Sequence, residues 1–418
     1  MVYVDAILAH TCLPVFYANG VLIHQRVATF DLAKTNMSRR TFLKSSIATA
    51  TFSNLFAATR IKAAGAAVAK VGIGDAFQRD FLLGTAINSK TLDDNEQNLL
   101  DLINQEFSSV TAENCQKWAE IHPEDAVWNW ATSDRFIEFA TAHKKHVLGH
   151  TLVWHSQIPD SVFKGLDGQL LSAAELRKKM EYHINTIVDR YRGKVDTWDV
   201  VNEVVSDDGY DSWRNSYWYQ IMGDSFMEHA FRTTHAADPK AELLYNDYNM
   251  HDPAKRAFLV DVFKDYLDRD VPIHGVGFQA HYALDEPKIE EVEKSIEAFS
   301  ELGLAIHITE LDVDVLPQAF DYMGAEISAS FEYSDELNPY PVALPAELED
   351  QLAQRYESLF RLFLKHRDSI KRVTLWGTGD AQSWKNDWPV VGRTNYPLLF
   401  DRSLRPKAAY QRVLKLKS

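Results

Sequence analysis

Cysteine is almost absent from this chain: 418 residues hold only Cys12 and Cys115. Cys12 falls in an N-terminal stretch that reads as separate from the body, so Cys115 stands alone and no intramolecular disulfide is expected. Long apolar runs are missing too. The tract from Ala6 to Val15 is too short for a bilayer span, and no other segment approaches that length. The mature protein is therefore expected to have no membrane contact. Positive charge is scarce, with 44 Lys and Arg against 59 Asp and Glu, a net of −15. Linkers, low-complexity tracts and repeats of 20–50 residues are also lacking, so no appended binding module is indicated.

The scarce positive charge is unevenly placed. Residues 1–69 carry seven basic and two acidic residues, a net of +5, which leaves −20 on residues 70–418. So acidic a body repels nucleic acid and anionic membranes and favours a neutral partner. Within the basic part, Met37-Ser-Arg-Arg-Thr-Phe-Leu-Lys44 matches the bacterial twin-arginine export signal, with Arg39 and Arg40 as the pair. A moderately apolar stretch (Ser45 to Thr59) follows, and Ala67-Val-Ala69 fits a small-residue cleavage site. The expected division is an upstream extension over 1–36, a signal peptide over 37–69 and a catalytic domain over 70–418. The mature protein is then exported, periplasmic or extracellular.

From Val71 onward, short apolar runs alternate with amphipathic stretches. Strands are predicted at Phe81–Asn88, Phe107–Glu113, His146–His155, Val195–Glu203, Ala241–Asn249, Ile273–Tyr282, Ala305–Val313 and Lys371–Asp380. Helical periodicity falls between them, at Asp93–Gln105, Ser133–Lys144, Ala173–Arg192, Asp224–Ala237, Pro253–Arg269, Pro287–Leu302 and Leu348–His366, with a last helix over Arg405–Leu416. Eight alternations predict a single α/β domain, a (β/α)8 TIM barrel; an open doubly wound sheet is the alternative.

In a barrel the site lies at the C-terminal strand ends, and polar residues gather there. Two strands end on a glutamate, Val195-Asp-Thr-Trp-Asp-Val-Val-Asn-Glu203 and Ala305-Ile-His-Ile-Thr-Glu310. Glycosidic hydrolysis needs one carboxyl on each side of the bond, and Asn202 is an amide suited to a sugar hydroxyl. The other strand ends carry Glu113-Asn114 with Lys117, His150 to Gln157, Asn246 to Asn249, Gln279 to His281, Glu310 to Asp312, and Trp376, Asp380 and Trp384.

These strings resemble glycoside hydrolase family 10, the endo-β-1,4-xylanases. The likeness is carried by Gly149-His-Thr-Leu-Val-Trp-His-Ser-Gln157, Trp198-Asp-Val-Val-Asn-Glu203, Gly275-Val-Gly-Phe-Gln-Ala-His281 and Ile308-Thr-Glu-Leu-Asp312. Trp376-Gly, Ser383-Trp384 and Asn395-Tyr-Pro-Leu-Leu-Phe-Asp401 add to it, so it covers about residues 75–415. The resemblance implies a retaining xylanase with Glu203 as general acid/base and Glu310 as nucleophile. Their carboxyls are then expected about 5–5.5 Å apart. It implies that His281 and Asp312 hold the nucleophile ionised. His150, Trp154, Asn202 and Gln279 would line the subsite of the sugar attacked, and Glu113, Asn114, Lys117 and Gln157 the next one. Trp376 and Trp384 would pack on sugar faces or close the site from above. The implied partner is xylan or xylo-oligosaccharides, with no cofactor, and a monomer is expected.

Cys115 departs from the family pattern, where an apolar residue such as Met is usual. The segment Val313 to Pro345 is long for a barrel loop and rich in aromatics and acids (Phe320, Tyr322, Phe331, Tyr333, Tyr340), which points to a part in shaping subsites or to a packed surface excursion. Other readings stay open: another β-1,4-glycanase or an oligosaccharide hydrolase on this scaffold, and a non-catalytic glycan binder, which the paired glutamates disfavour. His143, His146, His150 and His155 raise a metal-dependent barrel hydrolase. No metal is expected, because such barrels usually carry His-x-His on the first strand, and strand one here ends Thr-Ala-Ile-Asn88.

Overall fold

The computed structural model describes residues 72–317, 337–388 and 390–418. The proposed extension and signal over 1–69 lie outside these residues, as do Phe320, Tyr322, Phe331 and Tyr333 of the long loop.

Among the described residues nine strands run in chain order: β1 Leu82–Ile87, β2 Ser109–Ala112, β3 His146–Val153, β4 Thr197–Asn202, β5 Glu242–Asp247, β6 Gly275–Phe278, β7 His281–Ala283, β8 Ala305–Asp314 and β9 Ile370–Leu375. Pairing passes from β1 through β6, then to β8 and β9 and back to β1, every pair parallel. The ring is thus a closed eight-stranded parallel barrel, and the short β7 pairs beside β8, His281 opposite Asp312. The open-sheet alternative is excluded by the β6–β8 pairing that closes the ring. The strands are buried almost throughout, as expected where helices cover one face and the barrel filling the other.

The helices form where the periodicity places an apolar stripe. In Ala173–Tyr191, Leu176, Met180, Ile184, Ile187, Val188 and Tyr191 recur every three or four residues and all are buried. Its start is fixed by a capping box between Ser172 and Glu175. Asp252 caps Pro253–Asp268 by accepting from the amides of Ala254 and Lys255, a contact worth about 1 kcal/mol.

Two predicted elements differ. The helix expected over Asp93–Gln105 starts at Gln97 and runs to Glu106, and a separate short helix, Ser89–Asp93, precedes it, with the break between them at Asn95, which takes a left-handed φ of 52°. The strand expected over Ile273–Tyr282 breaks between Phe278 and His281, where Ala280 has a φ of 62°. That second break turns Gln279 and His281 into the barrel mouth.

The opposite end of the barrel is closed by a polar group built on the buried Arg372 and His307. Arg372 Nη2 bonds His146 Nδ1 at 2.5 Å and Thr197, while His307 lies 3.3 Å from Glu242. Those strand-start residues are far from the mouth in register, which removes His146 from any site there.

Candidate active site

The C-terminal strand ends surround one cleft. Glu113, Asn114, Lys117, His150, Trp154, Gln157, Asn202, Glu203, Gln279, His281, Glu310, Trp376 and Trp384 all line it. Asp312, the remaining sequence-predicted residue, is fully buried behind His281 instead.

Glu203 directly follows β4 and Glu310 lies within β8, and amides tie the two together. Asn202 Oδ1 accepts from Asn246 Nδ2 at 2.9 Å, and the same Asn246 nitrogen donates to Glu310 Oε1 at 2.8 Å. Gln279 Nε2 donates to Glu203 Oε1 at 2.8 Å and reaches Asn202 Oδ1 at 3.4 Å. Trp154 Nε1 donates to the other Glu203 oxygen at 2.7 Å. Both carboxyls are buried, so each oxygen needs such a partner.

Their electrostatic settings differ. Around Glu310, burial pushes the carboxyl up, but the His281 hydrogen bond, the charges of His150 and His281 and the Asn246 bond outweigh it and hold it below the ordinary carboxylate range. His281 sits 3.3 Å from Glu310 through Nε2 and 3.1 Å from Asp312 through Nδ1. Burial lowers its affinity for a proton, yet the two carboxylates more than compensate and lift it to about 9. Asp312 also accepts from Trp384 Nε1 at 2.9 Å and has Lys385 at 3.7 Å. The group is a relay of alternating charge ending on Glu310.

The rest of the cleft is a wall of hydrogen-bonding groups under aromatic cover. Lys117 Nζ donates to Asn114 Oδ1 at 2.8 Å, and Asn114 Nδ2 donates to Glu113 at 3.2 Å. Burial raises the Glu113 carboxyl and lowers the Lys117 ammonium, each opposed by the other's charge. The Lys117 ammonium also lies 5.2 Å from the Trp154 ring centroid. His150 is oriented by Asp199, 2.9 Å from Nδ1, and its ring meets Trp376 edge-on.

Three residues of this constellation carried no assigned role in the sequence. Asn246 holds the bridge just described; its place at the end of β5 was visible, its bond to Glu310 was not. Tyr248 and Trp388 line the cleft, Trp388 packing on Trp384 with centroids 4.8 Å apart. Conversely, some polar strand-end residues turn away. Asp247 forms a fully buried pair with Lys255 at 2.9 Å, Asn249 bonds Tyr210, and Asp380 pairs with Lys407 at 2.9 Å. Cys115 is buried, which pushes its thiol up to about 12. Of the histidines weighed as metal ligands, only His150 lines the cleft. The described residues that could converge on an ion, Glu293, Glu297 and His366, lie on other elements and include none of the four.

A parallel barrel with paired carboxyls at its mouth, set among amides and indoles, is the active-site plan of a glycoside hydrolase. The chain belongs to Glycosyl hydrolase family 10, whose profile matches residues 72–416. Among its relatives, Endo-1,4-beta-xylanase A of Xylanibacter ruminicola is 43% identical over 342 residues, covering 82% of this chain and 92% of that protein. Endo-1,4-beta-xylanase of Geobacillus stearothermophilus is 40% identical over 345 residues, covering 82% and 97%. A solved structure of a GH10 endoxylanase retrieved from a sugarcane soil metagenome superposes with a TM-score of 0.80 at 50% identity, over 82% of this chain and all of that one.

Proposed function

We propose that the protein cleaves internal β-1,4-xylosidic bonds of xylan with retention of anomeric configuration. The observation that carries this is the Glu203–Gln279–Asn202–Asn246–Glu310 chain of hydrogen bonds, which holds two carboxyls in one cleft with different neighbours. The xylanase relatives support the choice of sugar.

In the first step the Glu310 carboxylate attacks the anomeric carbon while the Glu203 carboxyl gives its proton to the departing oxygen. A covalent xylosyl ester on Glu310 results. Glu203, now a carboxylate, then takes a proton from water as the water oxygen displaces Glu310. Two inversions give net retention. The charge of His281 favours the ionised Glu310 that attack requires. Lys117, Asn114, Glu113 and Gln157 are suited to the hydroxyls of a second sugar, since each hydroxyl taken from water needs a replacement bond. Trp376, Trp384 and Trp388 offer ring faces to the chain.

The twin-arginine string at Met37 supports export of a folded enzyme, with 1–36 as extension, 37–69 as signal and 70–418 as a monomeric mature protein in the periplasm or beyond. No helix among the described residues is long and apolar enough to cross a membrane. The test of the activity is NMR of fresh xylan hydrolysis by residues 70–418. β-Configured xylo-oligosaccharides should appear first; α-configured first products, or cleavage of cellulose in preference to xylan, would refute it.

A further inference from the structure

Glu203 occupies a backbone conformation that few side-chain-bearing residues take. Its φ of 60° lies in the left-handed region, where Cβ crowds the carbonyl oxygen. Such a residue persists only where its surroundings over-determine it. Three tethers do so here. Glu203 N donates to Asn246 O at 2.9 Å, and the next amide, Val204 N, donates to the Tyr245 hydroxyl at 3.2 Å. The Glu203 carbonyl accepts from Arg214 Nε at 3.1 Å.

The third tether comes from a side chain that does not line the cleft. The loop after β4 folds back on itself: Arg214 N donates to Val204 O at 2.7 Å and Val205 pairs with Trp213. Arg214 is thereby delivered beside Glu203. Its guanidinium is then fixed by a two-point fork onto Asp207, at 2.8 and 3.1 Å, and by Nη2 donating to the Tyr248 hydroxyl at 2.7 Å. The Tyr248 hydroxyl in turn donates to Asp207. A planar fork of this kind fixes direction as well as distance, and lysine cannot reproduce it. Trp154 and Gln279 hold the carboxyl tip, while the main chain sets the angle from which it enters.

We propose that Arg214, with its guanidinium fixed by Asp207 and Tyr248, is a positioning residue for Glu203. It aligns the Glu203 carboxyl for proton transfer without touching substrate. The inference rests on the reading of Glu203 as the general acid/base.

Leaving-group dependence tests it. A dinitrophenyl group departs without a proton, whereas a xylan hydroxyl does not, so misalignment of the acid alone penalises poor leaving groups. Arg214→Lys and Asp207→Asn are assayed for kcat/KM on xylan and on aryl xylobiosides of graded leaving-group acidity, with Glu203→Ala in parallel. Arg214→Lys should lose about 10- to 100-fold on xylan and the poorest aryl leaving groups. On the dinitrophenyl substrate its loss should shrink to within about 3-fold. Added azide should speed its turnover of that substrate and give the β-glycosyl azide. Asp207→Asn should show the same pattern at smaller amplitude, and it decides the matter if Arg214→Lys does not fold. A steep dependence in Glu203→Ala with a uniform loss in Arg214→Lys and Asp207→Asn would overturn the positioning role. A uniform loss in Glu203→Ala would overturn the acid/base reading instead.

Discussion

His281→Gln removes the cation that sits between Glu310 and Asp312, and its consequences can be worked from the site. His281 binds its proton up to about 9 in the folded protein, against 6.5 in an ordinary histidine. Burial works against that rise; the Asp312 and Glu310 carboxylates at 3.1 and 3.3 Å produce it. At about 1.4 kcal/mol per pKa unit the rise is worth about 3 kcal/mol of folding stability. Because the folded value lies above the unfolded one, this contribution is complete below pH 6.5 and is lost as pH climbs through 9. In a domain of this size 1 kcal/mol moves Tm by about 2 °C, so the wild-type advantage over His281→Gln should shrink by about 6 °C across that window. Thermal unfolding of both proteins at intervals from pH 6 to 10 measures it. The same variant should move the acidic limb of kcat/KM upward, since Glu310 loses the neighbour that keeps it ionised. Melting curves that run parallel between pH 6 and 10 would show that His281 is not held protonated, and the reasoning would fail.

Other expectations follow from single contacts. Glu203→Ala should keep glycosylation by a dinitrophenyl xylobioside while its deglycosylation slows by about 100-fold or more, with azide restoring turnover as the β-azide; α-azide product from this variant would assign it the other role. Gly277→Ala would put a methyl group onto the Asn246 side chain and against Thr309, so it should cost about 1–3 kcal/mol in denaturant unfolding and lower activity as well. Unchanged activity would mean that Asn246 does not support Glu310. Replacing Arg39 and Arg40 with Lys should leave precursor in the cytoplasm, as read by fractionation; normal export would remove the twin-arginine assignment.

The barrel was legible because its strands are apolar runs that stop abruptly on polar residues, and its helices repeat every three or four positions. What escaped was any break without a composition signal. Phe278-Gln279-Ala280-His281 contains no glycine or proline, yet Ala280 takes a left-handed φ that orients two site residues. Strand-end polarity also mixed two populations: Glu203, Gln279 and Glu310 face the cleft, while Asp247 and Asp380 are consumed by Lys255 and Lys407. Nothing in a linear reading separates them, because the partners lie 8 and 27 residues away on other elements. Asn246 had the right position, but its bond to Glu310 spans 64 residues. Arg214 gave no signal at all, since it works through a backbone carbonyl.

In the proposed mechanism Glu310 carries the sugar between two displacements. A 2-deoxy-2-fluoro-xylobioside with a dinitrophenyl leaving group slows the second displacement more than the first, so the covalent ester should accumulate. Mass spectrometry of the intact protein should show one glycosyl adduct, and peptide mapping should locate it on Glu310. An adduct on Glu203, or none while the dinitrophenolate is released in a stoichiometric burst, would contradict the account.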